Sequence, residues 1–538
     1  MADVDYVIIG AGSAGCVLAN RLSENGRHRV LLLEAGGSDR NFWVRMPIGY
    51  GKTFFDARLN WKYLTEPDPG TRGRRSYWPR GKVLGGSSSI NAMVFIRGQH
   101  SDFDGWEALG NPGWGWRDVF PVYRQIEDYS GGADAWRGVG GPLSVRNIEA
   151  DVHPLCNAFL AAGVEAGLPK NADFNGATQE GVGIYQITTR DGFRASSATA
   201  FLRPAMKRPN LKLEIEAQAT RILFENKRAV GVAYVQGGQT HEVRVNREVI
   251  LACGAVNSPF LLQLSGIGDG ELLRRHDIDV VLDNRAVGRN LQDHIGVDYY
   301  YRSNVPTLND VLRPWHGRLA VGLRYLLRRD GPLSLSVNQA GGFFRSNPTF
   351  ESPNIQLYFS PVSYTKVPPG TRAMMSPDPY SGFLIGVTNC RPTSRGFLQI
   401  RSADPLAPPE IHPGYLSTDH DIDEMLEAVR FIRTLAASGP LAKVIEEEVR
   451  PSPDVTSDHA LIDDIRARAS TIFHPSGTCR MGPDPATAVV DPRLRVRGLE
   501  NLRVIDASIF PTVTSGNTNA PSIMVGARGA EFLLEDAH

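Results

Sequence analysis

The sequence predicts an α/β fold in two lobes: a Rossmann-like nucleotide-binding lobe assembled from separated segments, and an α+β lobe with an antiparallel sheet that interrupts it. Three observations lead there. Residues 6–9 are apolar and run into a glycine turn, 14–22 have helical spacing, and 30–33 are apolar again and end at Glu34. Strand, helix and strand within about thirty residues make a βαβ unit, hence a parallel sheet. Residues 211–252 alternate as antiparallel strands do and close on a buried run, whereas about 300–465 reads as strands, Pro-rich turns and one amphipathic helix, 421–438. The last seventy or so residues return to buried strand and helix character in LRVIDASIF and PSIMVGARGAEFLLEDA. Residues 37–115, rich in Gly, Pro, Trp and Arg, read as long loops on this scaffold. The expected division is 1–155, 215–295 and 470–538 for the first lobe, and 156–214 and 296–469 for the second.

Composition sets the outer limits. A chain of 538 residues is too long for one simple core. Its 42% apolar and 22% charged residues are ordinary for a globular protein. With 58 basic against 58 acidic residues it lacks the strong field of a nucleic-acid binder and has no long-range steering of ionic ligands. The 55 glycines point to tight turns and close backbone approaches. Cys16, Cys156, Cys253, Cys390 and Cys479 form no CxxC or CxxH pair, which disfavours a disulfide scaffold or zinc site and favours a reducing compartment. The first residues carry acids where a signal peptide would carry Lys or Arg, and no run of 18 apolar residues occurs. A cytoplasmic location without a transmembrane segment is expected, and no amphipathic membrane anchor stands out.

Gly10, Gly12 and Gly15 form GxGxxG between the first strand and the helix. The first glycine makes the tight turn, the second lets the backbone approach a pyrophosphate, and the third lets helix and strand pack closely. Glu34, nineteen residues after Gly15, can accept ribose hydroxyls and disfavours a 2′-phosphate, so FAD or NAD is expected rather than NADP. The alternative is a turn in an ordinary α/β protein. GKVLGGSSSINAMVFIRG (81–98) supplies bare amides and small hydroxyls that can lie against a flat or anionic ligand, and would serve equally as a Gly/Ser turn. GAVNSPFLLQLSGIG (254–268) reads as helix punctuation. In TIFHPSGTCRMG (471–482) His474 sits among small residues, and in SGNTNAPSIM (515–524) Asn517 and Asn519 precede a helix. An imidazole and a carboxamide can together hold one hydroxyl, the ring taking the proton and the amide donating to the alkoxide. A histidine taken alone is more often structural.

Segments 81–104 and 254–268 resemble, position for position, the two signature patterns of the glucose–methanol–choline (GMC) oxidoreductase family. HPSGTCRMG, SGNTNAP and LRVIDASIF look like its C-terminal segments, and the likeness runs from residue 4 to about 530. The nearest look is to bacterial choline-dehydrogenase-like and alcohol dehydrogenases and oxidases. The resemblance implies FAD with its pyrophosphate on Gly10, Gly12, Ser13, Ala14 and Gly15 and its adenosine ribose on Glu34 and Ala35. It implies that Val83, Gly86, Ser87, Asn91, Ala92, Met93 and Val94 lie along the flavin. Ala219 and Ala255 flank the adenine, Asp506 and Ala507 meet the ribityl and pyrophosphate portion, and Thr518 is a further cofactor-binding residue. His474 matches the family's base, and Asn519 is matched to its partner position. Ile90 stands where covalently flavinylated relatives carry histidine, which implies non-covalent FAD. Gln339 is aligned to a glutamate of choline-type members, which makes choline a poor substrate.

The implied reaction is oxidation of a primary alcohol to an aldehyde, with His474 as general base and hydride passing to flavin N5. The acceptor that follows is O2, a quinone or another oxidant. Phe473 and Gln339 are the substrate-binding candidates, and Phe344, Tyr358, Phe359 and Tyr364 the candidate lining. Phe473 beside the base favours an apolar or aromatic alcohol. Hydroxynitrile-lyase-type and photodecarboxylase-type activity remain alternatives on the same fold.

Overall fold

The structure is a computed structural model that describes residues 4–364 and 376–537. The predicted βαβ unit is present as β1 (Val4–Ile9), α1 (Ser13–Ser23) and β2 (Val30–Leu33). The last four residues of β1 and all of β2 are buried, as expected of parallel strands covered on both faces. The sheet continues from β1 to the strand Gln239–Leu251, which serves two layers. Its early part alternates in exposure and pairs antiparallel with Arg228–Gln236, itself paired with Ala217–Glu225. Its buried end, Val249 to Leu251, runs parallel to β1 and to Leu502–Val504. The C-terminal helix Asn519–Asp536 packs on α1 so closely that a Cβ on Gly526 would lie 2.8 Å from Ala14 Cα.

One boundary differs from expectation. The strand Leu211–Glu214 pairs with β2, and Ala198, Phe201 and Leu202 bury in the same core as α1. The chain therefore re-enters the first lobe before residue 215. The alternation of 211–225 reads as one meander in sequence, but Leu211 and Leu213 pair across to Val30 and Leu32.

The second sheet runs Ile445–Arg450, Ile295–Ser303, Gly382–Asn389, Ile355–Ser360, Ala340–Phe344, Gly181–Ile184, with Ser470–Thr471 beside Ile295–Ser303, and its strands pair antiparallel. Every residue of Ile355–Ser360 and Gly382–Asn389 is buried, so both faces are covered. Helix Asp419–Ala437, started by the Thr418 side chain, covers one face with Met425, Val429 and Ile432. The other face turns towards the first lobe and presents Asp298, Tyr358 and Leu384 to the cleft between them. All five cysteines are free thiols, and among the described residues no helix is long and apolar enough to cross a membrane.

Candidate active site

A cavity of about 630 Å³ runs from the glycine turn after β1 to the base of the second sheet. At its first end the glycines divide their work. Gly10 has φ +100°, and a Cβ on Gly15 would sit 1.9 Å from the Gly10 carbonyl oxygen, so both are closed by packing. Gly12 is left facing the cavity, and as the cap of α1 it offers no side-chain acceptor to the first-turn amides. Those N–H groups and the positive end of α1 therefore point into open space. Glu34, 6% exposed, accepts from the Ala11 amide (2.9 Å) and the Gly36 amide (2.8 Å), and burial pushes its carboxyl up to about 7. Asp506 accepts from Gly254 N (2.9 Å), Ser258 Oγ (2.5 Å) and Ser508 N (2.8 Å), and burial raises its pKa as well.

The middle wall is the turn Gly86–Ser89 and the residues after it. Gly86 has φ +53°, and a Cβ there would lie 2.7 Å from Gly12 Cα, so the two glycine backbones are in contact and leave a bare floor. Met93 is held at φ +65°. The buried Arg194 guanidinium clamps this segment, donating to Asn91 O (2.7 Å), Asn91 Oδ1 (2.7 Å) and Val44 O (3.0 Å). Burial without a carboxylate partner brings its pKa down to about 9.

At the far end His474 Nδ1 lies 2.9 Å from His294 Nδ1, and His294 Nε2 lies 2.9 Å from the Cys390 carbonyl oxygen. A carbonyl only accepts, so His294 Nε2 carries hydrogen and its Nδ1 carries a lone pair. That lone pair accepts from His474 Nδ1–H, which leaves the lone pair of His474 on Nε2. Burial, then the neighbouring His294, then Arg80, hold the His474 pKa well below 6.5, and burial brings His294 down to about 4. The neutral ring at the cavity thus offers a proton acceptor at one defined atom.

The group beside that atom is Asn517, whose Nδ2 lies 3.2 Å from His474 Nε2. Its Oδ1 faces Gln356 Nε2 at 3.5 Å, which fixes the amide orientation. This corrects the expectation for Asn519: Asn519 opens the C-terminal helix, and its Oδ1 accepts from Ser13 Oγ at 2.8 Å, on the glycine-turn side.

The loop bearing His474 is held from three directions. Asp293 accepts from His474 N (2.7 Å) and Thr471 Oγ1 (2.6 Å), and Thr471 Oγ1 in turn accepts from Phe473 N (2.8 Å). Arg80 donates to the Phe473 carbonyl at 2.7 Å. Burial pushes Asp293 up to about 6 and Arg80 down to about 10. Neither Asp293, His294 nor Arg80 was singled out by sequence. The signal was there in NLQDH, residues 290–294, where an Asp–His pair with two amides leads directly into a strand.

The remaining sequence candidates sort cleanly. Ser13, Ala14, Ala35, Ser87, Ala92, Val94, Ala219, Ala255, Ala507, Thr518 and Phe473 line the cavity with Gly10, Gly12, Glu34, Gly86, Asn91, Met93 and Asp506. Val83 does not: fully buried, it packs with Val44, Leu59 and Ile90 behind the wall. Gln339 does not either. Its Oε1 accepts from the His153 amide (2.7 Å), and it is Asn338, one residue earlier, that lines the cavity. Tyr358 and Tyr364 are lining residues, whereas Phe359 stacks on Phe159 and Phe344 on Phe431 inside the second lobe.

The GMC oxidoreductase family profile matches this chain over residues 4–296 and 392–526. The chain belongs to the GMC oxidoreductase family. It is 45% identical over 534 residues to an alcohol dehydrogenase [acceptor] of Pseudomonas putida, covering 98% of this chain and 95% of that one. It is 44% identical over 538 residues to the mitochondrial choline dehydrogenase of Mus musculus, covering 98% and 89%. The crystal structure of pyridoxine 4-oxidase from Mesorbium loti superposes with a TM-score of 0.87 at 32% identity, covering 100% of both chains. The protein is therefore a flavin-dependent oxidoreductase that acts on CH–OH groups, with FAD as cofactor.

The residues of this GMC oxidoreductase fit that cofactor. The uncapped amides of α1 suit a pyrophosphate, the Glu34 carboxyl sits where a ribose can donate to it, and the Gly12–Gly86 contact leaves a smooth floor that a Cβ would fill. The far end of the cavity is formed by side chains from both lobes, His474 and Asn517 from one and Tyr358 and Asp298 from the other.

Proposed function

We propose that the protein oxidises a primary alcohol with an apolar or aromatic body to the aldehyde, with FAD held non-covalently. In this reading His474 Nε2 takes the hydroxyl proton, and the Asn517 amide donates to the oxygen as its negative charge develops. FAD, when bound, supplies the acceptor for the hydride that leaves the carbinol carbon. Asn517 replaces Asn519 as the partner of the base, and Asn519 is assigned to the cofactor side of the cavity. The first lobe, with the glycine turn, is read as the FAD-binding domain, and the lobe built on the antiparallel sheet as the substrate domain.

The observation that carries this reading is the chain from the Cys390 carbonyl through His294 to His474, which leaves the lone pair of His474 on Nε2 at the cavity, where the Asn517 amide donates to it at 3.2 Å until a hydroxyl takes that place. Burial favours the neutral ring, so the acceptor is available throughout the neutral range. Support for an apolar substrate comes from Tyr50, Phe54, Val337, Tyr358, Tyr364 and Phe473 around that end of the cavity. Phe54 packs edge-on against Phe473 with ring centres 5.6 Å apart. The argument from Gln339 against a cationic substrate falls away, and Asp298 lies among the lining residues. Non-covalent FAD is supported by Ile90, an aliphatic side chain with no nucleophile at that wall. O2, a quinone or another oxidant reoxidises the flavin.

Anaerobic mixing of the holoenzyme with benzyl alcohol, 1-hexanol and choline tests the reading through the visible flavin band. The two apolar alcohols are expected to bleach it faster than choline, and His474→Ala to slow bleaching about 10²–10⁴-fold. A His474→Ala rate near that of the wild type would remove the base. Absence of bleaching by any alcohol would favour lyase chemistry. Acid precipitation of the same sample is expected to leave the yellow cofactor in solution.

A further inference from the structure

The helix Trp315–Arg328 lies on the surface of the second lobe, and of its 14 residues only Tyr325 is buried. The Tyr325 hydroxyl donates to the Gly192 carbonyl at 3.0 Å and pins the helix down. Its outer face is apolar: Trp315 is 71% exposed, Leu319 54%, Leu323 50%, Leu326 52% and Leu327 82%. At about 100° per residue these five fall within an arc of roughly 120°, which also holds the exposed His316 beside Trp315. Arg318 borders the arc on one side, and Arg324 and Arg328 lie beyond its other edge. The helix contains no Asp or Glu. Arg324 pairs with Asp330 at 2.7 Å, while Arg318 and Arg328 make no ion pair among the described residues.

The surface extends past the helix. Arg329 and Arg45 stack on the same Phe193 ring, at 4.9 Å and 4.6 Å, and this joins the helix end to Phe42–Arg45, where Phe42 is 51% and Trp43 41% exposed. Just before the helix, Leu308 and Leu312 pack in one cluster with Tyr50, Phe54 and Val337 from the wall of the cavity. The apolar face therefore lies on the substrate side of the molecule.

An apolar stripe flanked by arginines, with a tryptophan at its start, has the chemistry of a helix lying in a lipid–water interface. The leucines enter the acyl boundary, the arginine stems lie along it, and their guanidinium groups reach anionic headgroups. A second copy of this chain suits the face poorly, because a two-fold contact would set the same arginines against one another. We propose that Trp315–Arg328, extended by Phe42 and Trp43, docks the protein in plane on an anionic bilayer and brings the substrate end of the cavity beside the lipid.

The test is co-sedimentation of the purified holoenzyme with vesicles of phosphatidylglycerol and, separately, of phosphatidylcholine. The expected result is binding to phosphatidylglycerol, weaker binding to phosphatidylcholine, and loss of the difference at about 0.5 M salt. Leu323→Asp combined with Leu327→Asp is expected to lower partitioning about 30-fold or more, with flavin content and turnover of a water-soluble alcohol unchanged. No binding to phosphatidylglycerol vesicles, or equal binding by the variant, would overturn the proposal. So would a wild-type dimer in sedimentation velocity that the double substitution dissociates, since the face would then belong to a second copy.

Discussion

Replacing His294 separates positioning of the proposed base, His474, from the base itself. His294 touches no cavity space of its own, yet its Nδ1 is the acceptor that keeps hydrogen on His474 Nδ1. In His294→Leu that buried donor loses its partner, which costs about 1–3 kcal/mol. If the whole loss falls on the productive tautomer, kcat/KM drops about 5- to 150-fold. That is less than the loss expected for His474→Ala, because the ring is still present. His294→Gln is expected to recover most of the activity, since an amide oxygen can accept from His474 Nδ1–H while its nitrogen donates to the Cys390 carbonyl. The pH profile adds a second readout. His294 is one of the groups that lower the His474 pKa, so removing it raises that pKa and moves the acid limb of kcat/KM to higher pH in both variants. The assay is kcat/KM against pH on flavin-normalised enzyme. Equal losses in the Leu and Gln variants, or an acid limb that moves down, would refute the tautomer argument.

The two asparagines should part company: Asn517→Ala is expected to lower kcat/KM about 10-fold or more with FAD retained, whereas Asn519→Ala weakens FAD binding first, as read by flavin content after gel filtration. Glu34 makes FAD affinity depend on pH. With its carboxyl at about 7 in the apoprotein, the ionised fraction rises from roughly a tenth at pH 6 to nine tenths at pH 8, so the FAD Kd is expected to fall about tenfold and a proton to be released, both measurable by calorimetry. The sign for the apoprotein is opposite: a carboxyl raised by burial contributes stability below its unfolded pKa, and that contribution is lost as pH rises through about 7.

The parts that sequence made legible are those where one residue type meets a backbone demand. Gly10 and Gly15 were readable because no other side chain fits beside Ala252 and the Gly10 carbonyl, and the fold class followed from the apolar runs around them. Several of the errors are slips of one or two residues. Gln339 and Asn338, like Phe359 and Tyr358, sit on opposite faces because side chains alternate along an extended chain, so a slip of one exchanges core for cavity. Asn519 and Asn517 differ by which side of a helix start they occupy, and only the packing of that helix on α1 turns Asn519 away to Ser13. The helix Trp315–Arg328 escaped notice because leucines at helical spacing normally signify core, and exposure is a tertiary fact.

The segment 290–294 shows why the base end could not be read from its own loop. Asn290 Nδ2 donates to Gly477 O (3.2 Å) and Pro511 O (3.3 Å), and Gln292 Nε2 donates to Pro511 O (3.0 Å). Gln292 Oε1 accepts from Val513 N at 3.1 Å. One short stretch thus ties the loop carrying His474 to the loop leading to Asn517. From the same stretch Asp293 holds the His474 main chain and His294 holds its ring. Phe473, next to the base, has φ +73°, a conformation that costs a non-glycine residue of order 1–3 kcal/mol. It persists because its amide hydrogen is held by Thr471, whose hydroxyl donates to Asp293, and its carbonyl by Arg80. The strain and its restraint share one purpose, which is to fix the direction of a single nitrogen lone pair, and the groups that do so lie about 180 and 390 residues away in sequence.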